Sequence, residues 1–176
     1  MKILHLIPGS GGSFYCQNCL RDLMLVRALR ARGHDAVVVP LYLPMFGDFE
    51  DTEGRAPIFF GGVNVYLREK IPFFRYAPRW LERIFDSPWV LNRAAKKEGA
   101  TNAAELGAMT LSMLEGREGN QRREYERFLE WLTTQPQPDI IHISNALLLG
   151  FVPPIREVFY TPFVCSLQDE APWVDA

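Results

Sequence analysis

The sequence predicts an α/β fold in which helices cover both faces of a parallel sheet, the doubly wound arrangement. The first observation is an opening unit of strand, glycine loop, helix and strand, completed within about 40 residues. The second is a later alternation of helix-like and strand-like segments from residue 102 to residue 167. Nearly half of the 176 residues are apolar, which is enough for the core of one domain.

The opening unit begins with a short apolar run over residues 2–8, the length of a strand buried on both faces. A glycine loop follows at residues 9–12. Helix periodicity then predicts a helix that ends at Gly33, a residue suited to a C-cap. Residues 36–39 are β-branched apart from one alanine and predict the second strand. The helix periodicity is carried by Leu20, Leu23, Met24, Ala28 and Ala31.

The rest of the chain continues the alternation less regularly. Residues 42–75 are rich in proline, glycine and aromatic residues, with a hairpin predicted at 58–67. Residues 78–135 predict helices, including 102–115 and 119–134 with a break at Gly116. Strands are predicted at 139–143 and 162–167, joined by a helix at 146–160 that Pro153 and Pro154 interrupt. Because no helix follows the last strand, we expect residues 1–176 to be a truncated part of a larger protein.

Composition excludes several classes of protein. A formal charge of −2 and a pI of about 5.9 do not indicate nucleic-acid binding. No run of about 20 apolar residues occurs, so no membrane-spanning helix is predicted. Three cysteines do not form a disulfide framework, and we expect a cytoplasmic, reduced protein.

The glycine loop is the first candidate site. Gly11 and Gly12 follow the first strand, at the edge where doubly wound sheets bind ligands, and glycine lets a ligand approach the backbone. A tight turn that requires positive φ remains the alternative. Phe14 replaces the third glycine of the dinucleotide fingerprint, and no Gly-Lys-Ser/Thr motif occurs. No cofactor is therefore expected.

Three segments together resemble the family-4 retaining glycosyltransferases of the GT-B architecture. The opening KILHLIPGSGGSFYCQNCLRDLMLVRALRARGHDAVVVPLY is similar to the family's first strand, Gly-Gly loop, Leu-rich helix and Arg-Gly-His entry to strand two. PDIIH at 138–142 and TPFVCSLQD at 161–169 resemble two later strands. The chain also resembles a narrower bacterial subgroup through PGSGGSFYCQNCLRD, FFGGVNVYL and SNALLLG.

The resemblance implies two Rossmann-like domains facing across a cleft, of which this chain is the N-terminal, acceptor-side domain. The whole enzyme is then expected to transfer a sugar from a nucleotide-diphosphate sugar to an acceptor hydroxyl with retention. The donor-binding domain and its catalytic carboxylates lie outside this chain. The expected substrate-binding residues are Gly11, Gly12, Ser13, Asn145, Gln168, Asp169 and Glu170.

Two departures from the family pattern affect the expected chemistry. Gln168 stands where the family often has a histidine, and an amide cannot act as a base near neutral pH. Glu118 and Glu126 reproduce the family's Glu-x₇-Glu spacing, but they lie in a polar helix and are interpreted as solvated charges. Two alternatives to the enzyme remain open: a binding module for a sugar or nucleotide without turnover, and a thiol or metal protein.

Cysteine and histidine positions give further candidates. Cys16 and Cys19 form a C-x-x-C motif that Cys165 could join in a metal or redox site, although packing is favoured. His5 is interpreted as a satisfied core histidine. His142 is assigned either to the core or to the cleft rim. His34 is interpreted as a cap or surface residue, and Asn145 is also a candidate helix cap.

The stretch 68–97 combines basic and aromatic residues. It predicts peripheral contact with a membrane, a groove for a polar acceptor, or an ordinary helix with aromatic core residues and solvated arginines. In the first case the protein would lie at the inner membrane face. Because the apolar cleft rim would face a second domain, the isolated chain is also expected to self-associate.

Overall fold

The computed structural model describes residues 1–9, 17–42 and 103–167. They form four strands, four α-helices and two 3₁₀ helices. In chain order these are β1 (Lys2–Ile7), α1 (Gln17–Ala31), β2 (Asp35–Pro40), α2 (Ala103–Glu115), η1 (Gly116–Glu118), α3 (Arg122–Thr133), β3 (Ile140–Ile143), η2 (Ala146–Phe151), α4 (Val152–Val158) and β4 (Phe163–Cys165). The predictions for 58–67, 78–102 and the stretch 68–97 lie outside the described residues.

The four strands form one parallel sheet in the order β2-β1-β3-β4. Strand β1 is central to the pairing, with His5 opposite Val38 of β2 and opposite His142 of β3. Strand β4 pairs with β3, so that Cys165 lies opposite Ile143. The predicted α/β class with a parallel sheet is confirmed for this part of the chain.

Helix α1 covers one face of the sheet. Leu23 and Val26 pack there against Ile3 and Ile7 of β1 and against residues of β2. The helix ends at Ala31, and Gly33 terminates it from two residues beyond, as predicted: the φ of Gly33 is +81°, and its N–H donates to the carbonyl of Arg30 at 2.9 Å. Glycine suits this position because a Cβ disfavours the left-handed conformation.

Helices α3 and α4 cover the opposite face. The larger core there joins Leu4 and Leu6 of β1 to Phe128 and Leu132 of α3. The helix predicted at 119–134 is present as α3, but its interpretation as a polar surface helix was wrong, because α3 is amphipathic and its buried side chains complete this core. The core of this face also includes Tyr125, Leu129, Ile141, Ile143, Leu148, Phe151, Ile155 and Phe159.

The segment predicted as one interrupted helix at 146–160 consists of η2 followed by α4. Pro153 and Pro154 do not interrupt α4; they lie in its first turn. Proline is tolerated there because the first backbone N–H groups of a helix have no intrahelical acceptor. Among the described helices, none has both the length and the apolar character needed to cross a bilayer.

Candidate functional site

The strand order places a topological switch point between β1 and β3. From β1 the sheet extends on one side to β2 and on the other to β3 and β4. In open parallel sheets, ligands bind outside the carboxyl ends of the two strands at such a point, because the connections leave in opposite directions and open a crevice. We call this edge, where β1, β3 and β4 end, the carboxyl edge.

Two predicted substrate-binding segments follow, in sequence, strands that end at the carboxyl edge. Gly9, which opens the glycine loop after β1, has φ +91°, a conformation that favours glycine. Gly11, Gly12 and Ser13 of that loop lie outside the described residues. Gln168, Asp169 and Glu170, which come after β4 in sequence, also lie outside them.

Asn145 is the predicted substrate-binding residue that the structure does describe. It follows β3 in an extended conformation, with φ −155° and ψ 164°. It occupies the N-cap position of η2, as the alternative role predicted, but its side chain makes no cap hydrogen bond. Its Oδ1 is buried, with no hydrogen-bond partner among the described residues. A buried amide oxygen without a donor is costly unless a water or ligand supplies one.

A chain of four polar side chains runs from α1 to the carboxyl edge. Asp22 Oδ1 on α1 lies 3.9 Å from Nε2 of His5 in β1. Nδ1 of His5 lies 2.5 Å from Nδ1 of His142 in β3. Nε2 of His142 lies 2.8 Å from Oγ of Ser166, one residue beyond β4. We call these four residues the polar chain.

The polar chain is almost entirely buried. His5 is 0 % exposed, Asp22 1 % and His142 8 %. Burial, and then the neighbouring His5, lower the pKa of His142 to about 4, although the charge of Asp22 acts in the opposite direction. His142 is therefore a neutral imidazole at pH 7, able to donate one hydrogen bond and to accept another.

The histidine predictions are resolved in part by this geometry. His5 is a core residue as predicted, but it is not fully satisfied, because its Nε2 has no hydrogen-bond partner among the described residues. His142 is buried and makes core hydrogen bonds, as one of its two predicted roles requires, and one of these bonds reaches Ser166 just beyond β4. His34 lies at the end of α1 and is partly exposed.

Sequence reasoning missed Asp22 and Ser166. The signal for Asp22 was present, because it lies three residues after Cys19 and four before Val26, on the buried stripe of α1. An acidic residue on an apolar helical stripe indicates a buried partner. Ser166 had no comparable signal, because its partner His142 is 24 residues away and is brought near only by strand pairing.

A second buried polar cluster lies where β2 ends against α3. The hydroxyl of Tyr42 donates to Oε1 of Gln121 at 2.9 Å. Burial, and then the nearby Tyr125 and Glu124, raise the pKa of the Tyr42 phenol. Its phenol therefore remains a neutral donor.

The two acidic residues with the Glu-x₇-Glu spacing are not part of this cluster. Glu118 is exposed, and Glu126 forms a surface ion pair with Arg122 at 3.0 Å. Both positions agree with their interpretation as solvated charges.

The two described cysteines, Cys19 and Cys165, are not brought together. Cys19 is buried on α1, over one face of the sheet, whereas Cys165 packs against the core of the other face. Cys16 lies outside the described residues. Within residues 1–9, 17–42 and 103–167, no group of three or more histidine, cysteine or acidic side chains could hold a metal ion.

Comparison of the chain with protein-family models, with curated proteins and with solved structures finds no match.

Proposed function

We propose that this chain is the acceptor-side, Rossmann-like domain of a family-4 retaining glycosyltransferase. The sequence resemblance supports the proposal because its segments coincide with elements of the sheet. The Arg-Gly-His segment at 32–34 connects the end of α1 to the start of β2. The PDIIH segment leads into and includes most of β3, and TPFVC ends with β4.

The observation that carries the proposal is the position of the switch point relative to the expected substrate-binding residues. Residues 11–13 follow β1 in sequence, Asn145 follows β3, and residues 168–170 follow β4. Because parallel strands end at the same edge, the strands that precede these segments in sequence all end at the carboxyl edge. Amide, carboxylate and hydroxyl groups are the partners that sugar hydroxyls require.

In the proposed reaction the acceptor oxygen bonds to the anomeric carbon of the donor sugar while the bond from that carbon to the phosphate oxygen breaks. The leaving phosphate takes the acceptor proton, as is usually thought for retaining enzymes of this type. This chain then has to bind and orient the acceptor. Asn145 accepts a hydrogen bond from it through Oδ1. His142 is a poor base for the reaction because its pKa is about 4.

Transfer assays test the proposed reaction. Residues 1–176 alone should transfer no sugar from UDP-, GDP- or ADP-hexoses to a panel of glycoside acceptors, because the donor-binding carboxylates are proposed to lie in another domain. A longer protein that carries this chain together with that domain should transfer one of these sugars. The product should keep the anomeric configuration of the donor by NMR. Transfer by residues 1–176 alone, or inversion in the longer protein, would contradict the proposal.

A binding experiment tests the role of Asn145. We expect residues 1–176 to bind at least one methyl hexopyranoside in saturation-transfer NMR, and Asn145→Ala to weaken that binding about tenfold, the effect of one lost hydrogen bond. Asn120→Ala, at an exposed position before α3, is the matched control and should bind normally. Equal affinities of the two variants would remove Asn145 from the site. Binding without transfer by the longer protein would favour the non-catalytic binding module.

A further inference from the structure

The polar chain requires a defined arrangement of hydrogen atoms. The two Nδ1 atoms of His5 and His142 face each other at 2.5 Å, so one must carry a hydrogen and the other must accept it. Only two arrangements of neutral rings satisfy this contact. In one arrangement His142 donates to His5, and in the other His5 donates to His142. The two arrangements therefore also differ in which ring carries a hydrogen on its Nε2.

Asp22 selects between the two arrangements. Its carboxylate lies 3.9 Å from Nε2 of His5 and is almost fully buried, so it favours a hydrogen on that nitrogen. His5 then accepts at Nδ1, His142 donates from its Nδ1, and Nε2 of His142 is left as an acceptor. Arg21 forms an ion pair with the same carboxylate oxygen at 3.3 Å.

The last link of the polar chain fixes the hydroxyl of Ser166. Because Nε2 of His142 is an acceptor, the Ser166 hydroxyl donates its hydrogen to it across 2.8 Å. The hydrogen of Ser166 therefore points into the protein, and the lone pairs of Oγ remain for another donor. Ser166 is partly exposed, immediately beyond β4 at the carboxyl edge.

We infer that Ser166 is a substrate-binding residue whose Oγ accepts a hydrogen bond from a hydroxyl of the saccharide acceptor. Asp22, His5 and His142 are positioning residues that hold the serine in this acceptor state. The inference rests on the proposed function for the chemical class of the ligand. The direction of the polar chain stands on its geometry alone.

The same geometry resembles a serine nucleophile next to a histidine base. That alternative interpretation makes a different prediction about the reactivity of Ser166. A base for Ser166 would have to take up its proton during the reaction. The low basicity of the buried His142 opposes that step and favours a neutral ring that only accepts a hydrogen bond. Ser166 should therefore not react with a fluorophosphonate probe.

Nitrogen NMR of the labelled chain at pH 7.5 tests the direction. We expect His142 to be protonated only at Nδ1 and His5 only at Nε2. In Ser166→Ala, the Nε2 resonance of His142 should shift because it loses its donor. In Asp22→Asn, the tautomer preference of His5 should weaken. The opposite tautomers in the wild type, or labelling of Ser166 by the fluorophosphonate, would overturn the inference.

A binding cycle tests the ligand contact. The probe is the methyl hexopyranoside that binds best, compared with its four monodeoxy analogues. We expect one analogue to bind the wild type about tenfold more weakly than the parent glycoside does. Ser166→Ala should bind the parent glycoside about tenfold more weakly than the wild type does. When that analogue is combined with Ser166→Ala, the two losses should not add. Ser166→Thr, which keeps the hydroxyl, should restore parent binding.

Ser112→Ala is the matched control, because it removes a buried serine hydroxyl of α2 that accepts from the backbone N–H of Asn120 and is not part of the polar chain. It should leave the affinity for the glycoside unchanged, whatever its effect on stability. Additive losses in the binding cycle would overturn the contact at Ser166 while leaving the proposed function intact. If no glycoside binds and the predicted tautomers are found, the proposed function and the saccharide contact both fail, and only the direction of the polar chain is retained.

Discussion

At the scale of single residues, the described molecule is distinguished by imidazoles placed inside its sheet. His5 and His142 lie opposite each other on adjacent strands, where apolar side chains would ordinarily pack. Burying two polar rings costs free energy unless their nitrogens are hydrogen-bonded. Their mutual contact and the bond to Ser166 offset part of that cost. The pair therefore ties stability to the protonation state of His142.

This coupling predicts how stability depends on pH. Burial, and then His5, lower the pKa of His142 from 6.5 to about 4 in the folded protein, so between these values the unfolded chain binds a proton that the folded chain does not. The contribution of His142 to the free energy of unfolding should therefore be largest above pH 6.5 and should decrease as the pH falls towards 4. By pH 5 the loss from this group should be about 2 kcal/mol.

Urea unfolding at pH 7.5, 6.5, 5.5 and 5.0 measures this dependence. His142→Gln should be less stable at pH 7.5 and should show a correspondingly shallower decrease towards pH 5. The difference between the two pH profiles isolates His142 from the other titrating groups. Parallel profiles would show that His142 does not have the lowered pKa.

The buried hydroxyl of Tyr42 gives a second prediction at this scale. Tyr42→Phe removes the donor to Oε1 of Gln121 and leaves a buried acceptor with one partner fewer. We expect it to lower the free energy of unfolding by about 1–2 kcal/mol in urea titration. Tyr160→Phe is the matched control, because Tyr160 is 99 % exposed and its change should be negligible. Equal effects of the two variants would contradict the buried bond.

At the scale of elements, the end of α2 packs unusually close to η2. Gly150 in η2 lies so near the backbone of α2 that a Cβ would meet the carbonyl oxygen of Met113 at 2.1 Å. Gly116, with φ +62°, faces the carbonyl of Gly150 in return. Backbone atoms cannot rotate away as side chains do, so both positions require glycine. This contact holds η2 and the adjoining Asn145 against the helical layer.

A pair of glycine variants tests this contact. Gly150→Ala should lower the free energy of unfolding by about 3 kcal/mol, because the backbone has to move to admit the methyl group. Gly107→Ala lies within α2, where a Cβ would meet nothing within 4 Å. It should stabilise the protein by about 0.5–1 kcal/mol through helix propensity. Opposite signs are thus expected for the same chemical change, and equal effects would contradict the close packing.

At the scale of the whole described molecule, β1 belongs to two cores at once. Leu6 packs against α3 and α4, while its neighbour Ile7 packs against α1, and both are 0 % exposed. Successive residues of a strand point to opposite faces, so the side chains of this central strand pack into the cores on both faces of the sheet. The molecule should therefore unfold as one cooperative unit.

Truncation on either side of β1 tests this cooperativity. Leu6→Ala and Ile7→Ala should each lower the free energy of unfolding by about 2–5 kcal/mol, since each removes fully buried atoms. In both variants, hydrogen exchange should lose protection in α1 and α3 to the same extent. Loss confined to α1 in Ile7→Ala, or to α3 in Leu6→Ala, would show that the two layers unfold independently.

The sequence by itself determined the features that depend on local patterns. The β-branched run of β2 and the apolar run of β1 predicted strands within one or two residues of those observed, and Gly33 was identified as a helix end because a C-cap favours glycine. The parallel α/β class followed from the alternation of these elements. The resemblance supplied the proposed chemistry, which no local pattern contains.

Only the tertiary structure decided which residues meet. Helix α3 looked polar in sequence, and its role in the core became visible only when its buried stripe was placed against the sheet. Asp22, His5 and His142 come from three separate elements and Ser166 follows a fourth, and His5 and Ser166 are 161 positions apart in the numbering. Strand register and helix packing bring them within hydrogen-bond or ion-pair range. Such contacts depend on how the whole chain pairs its strands. A pattern along the sequence does not show which residues of different strands lie close together.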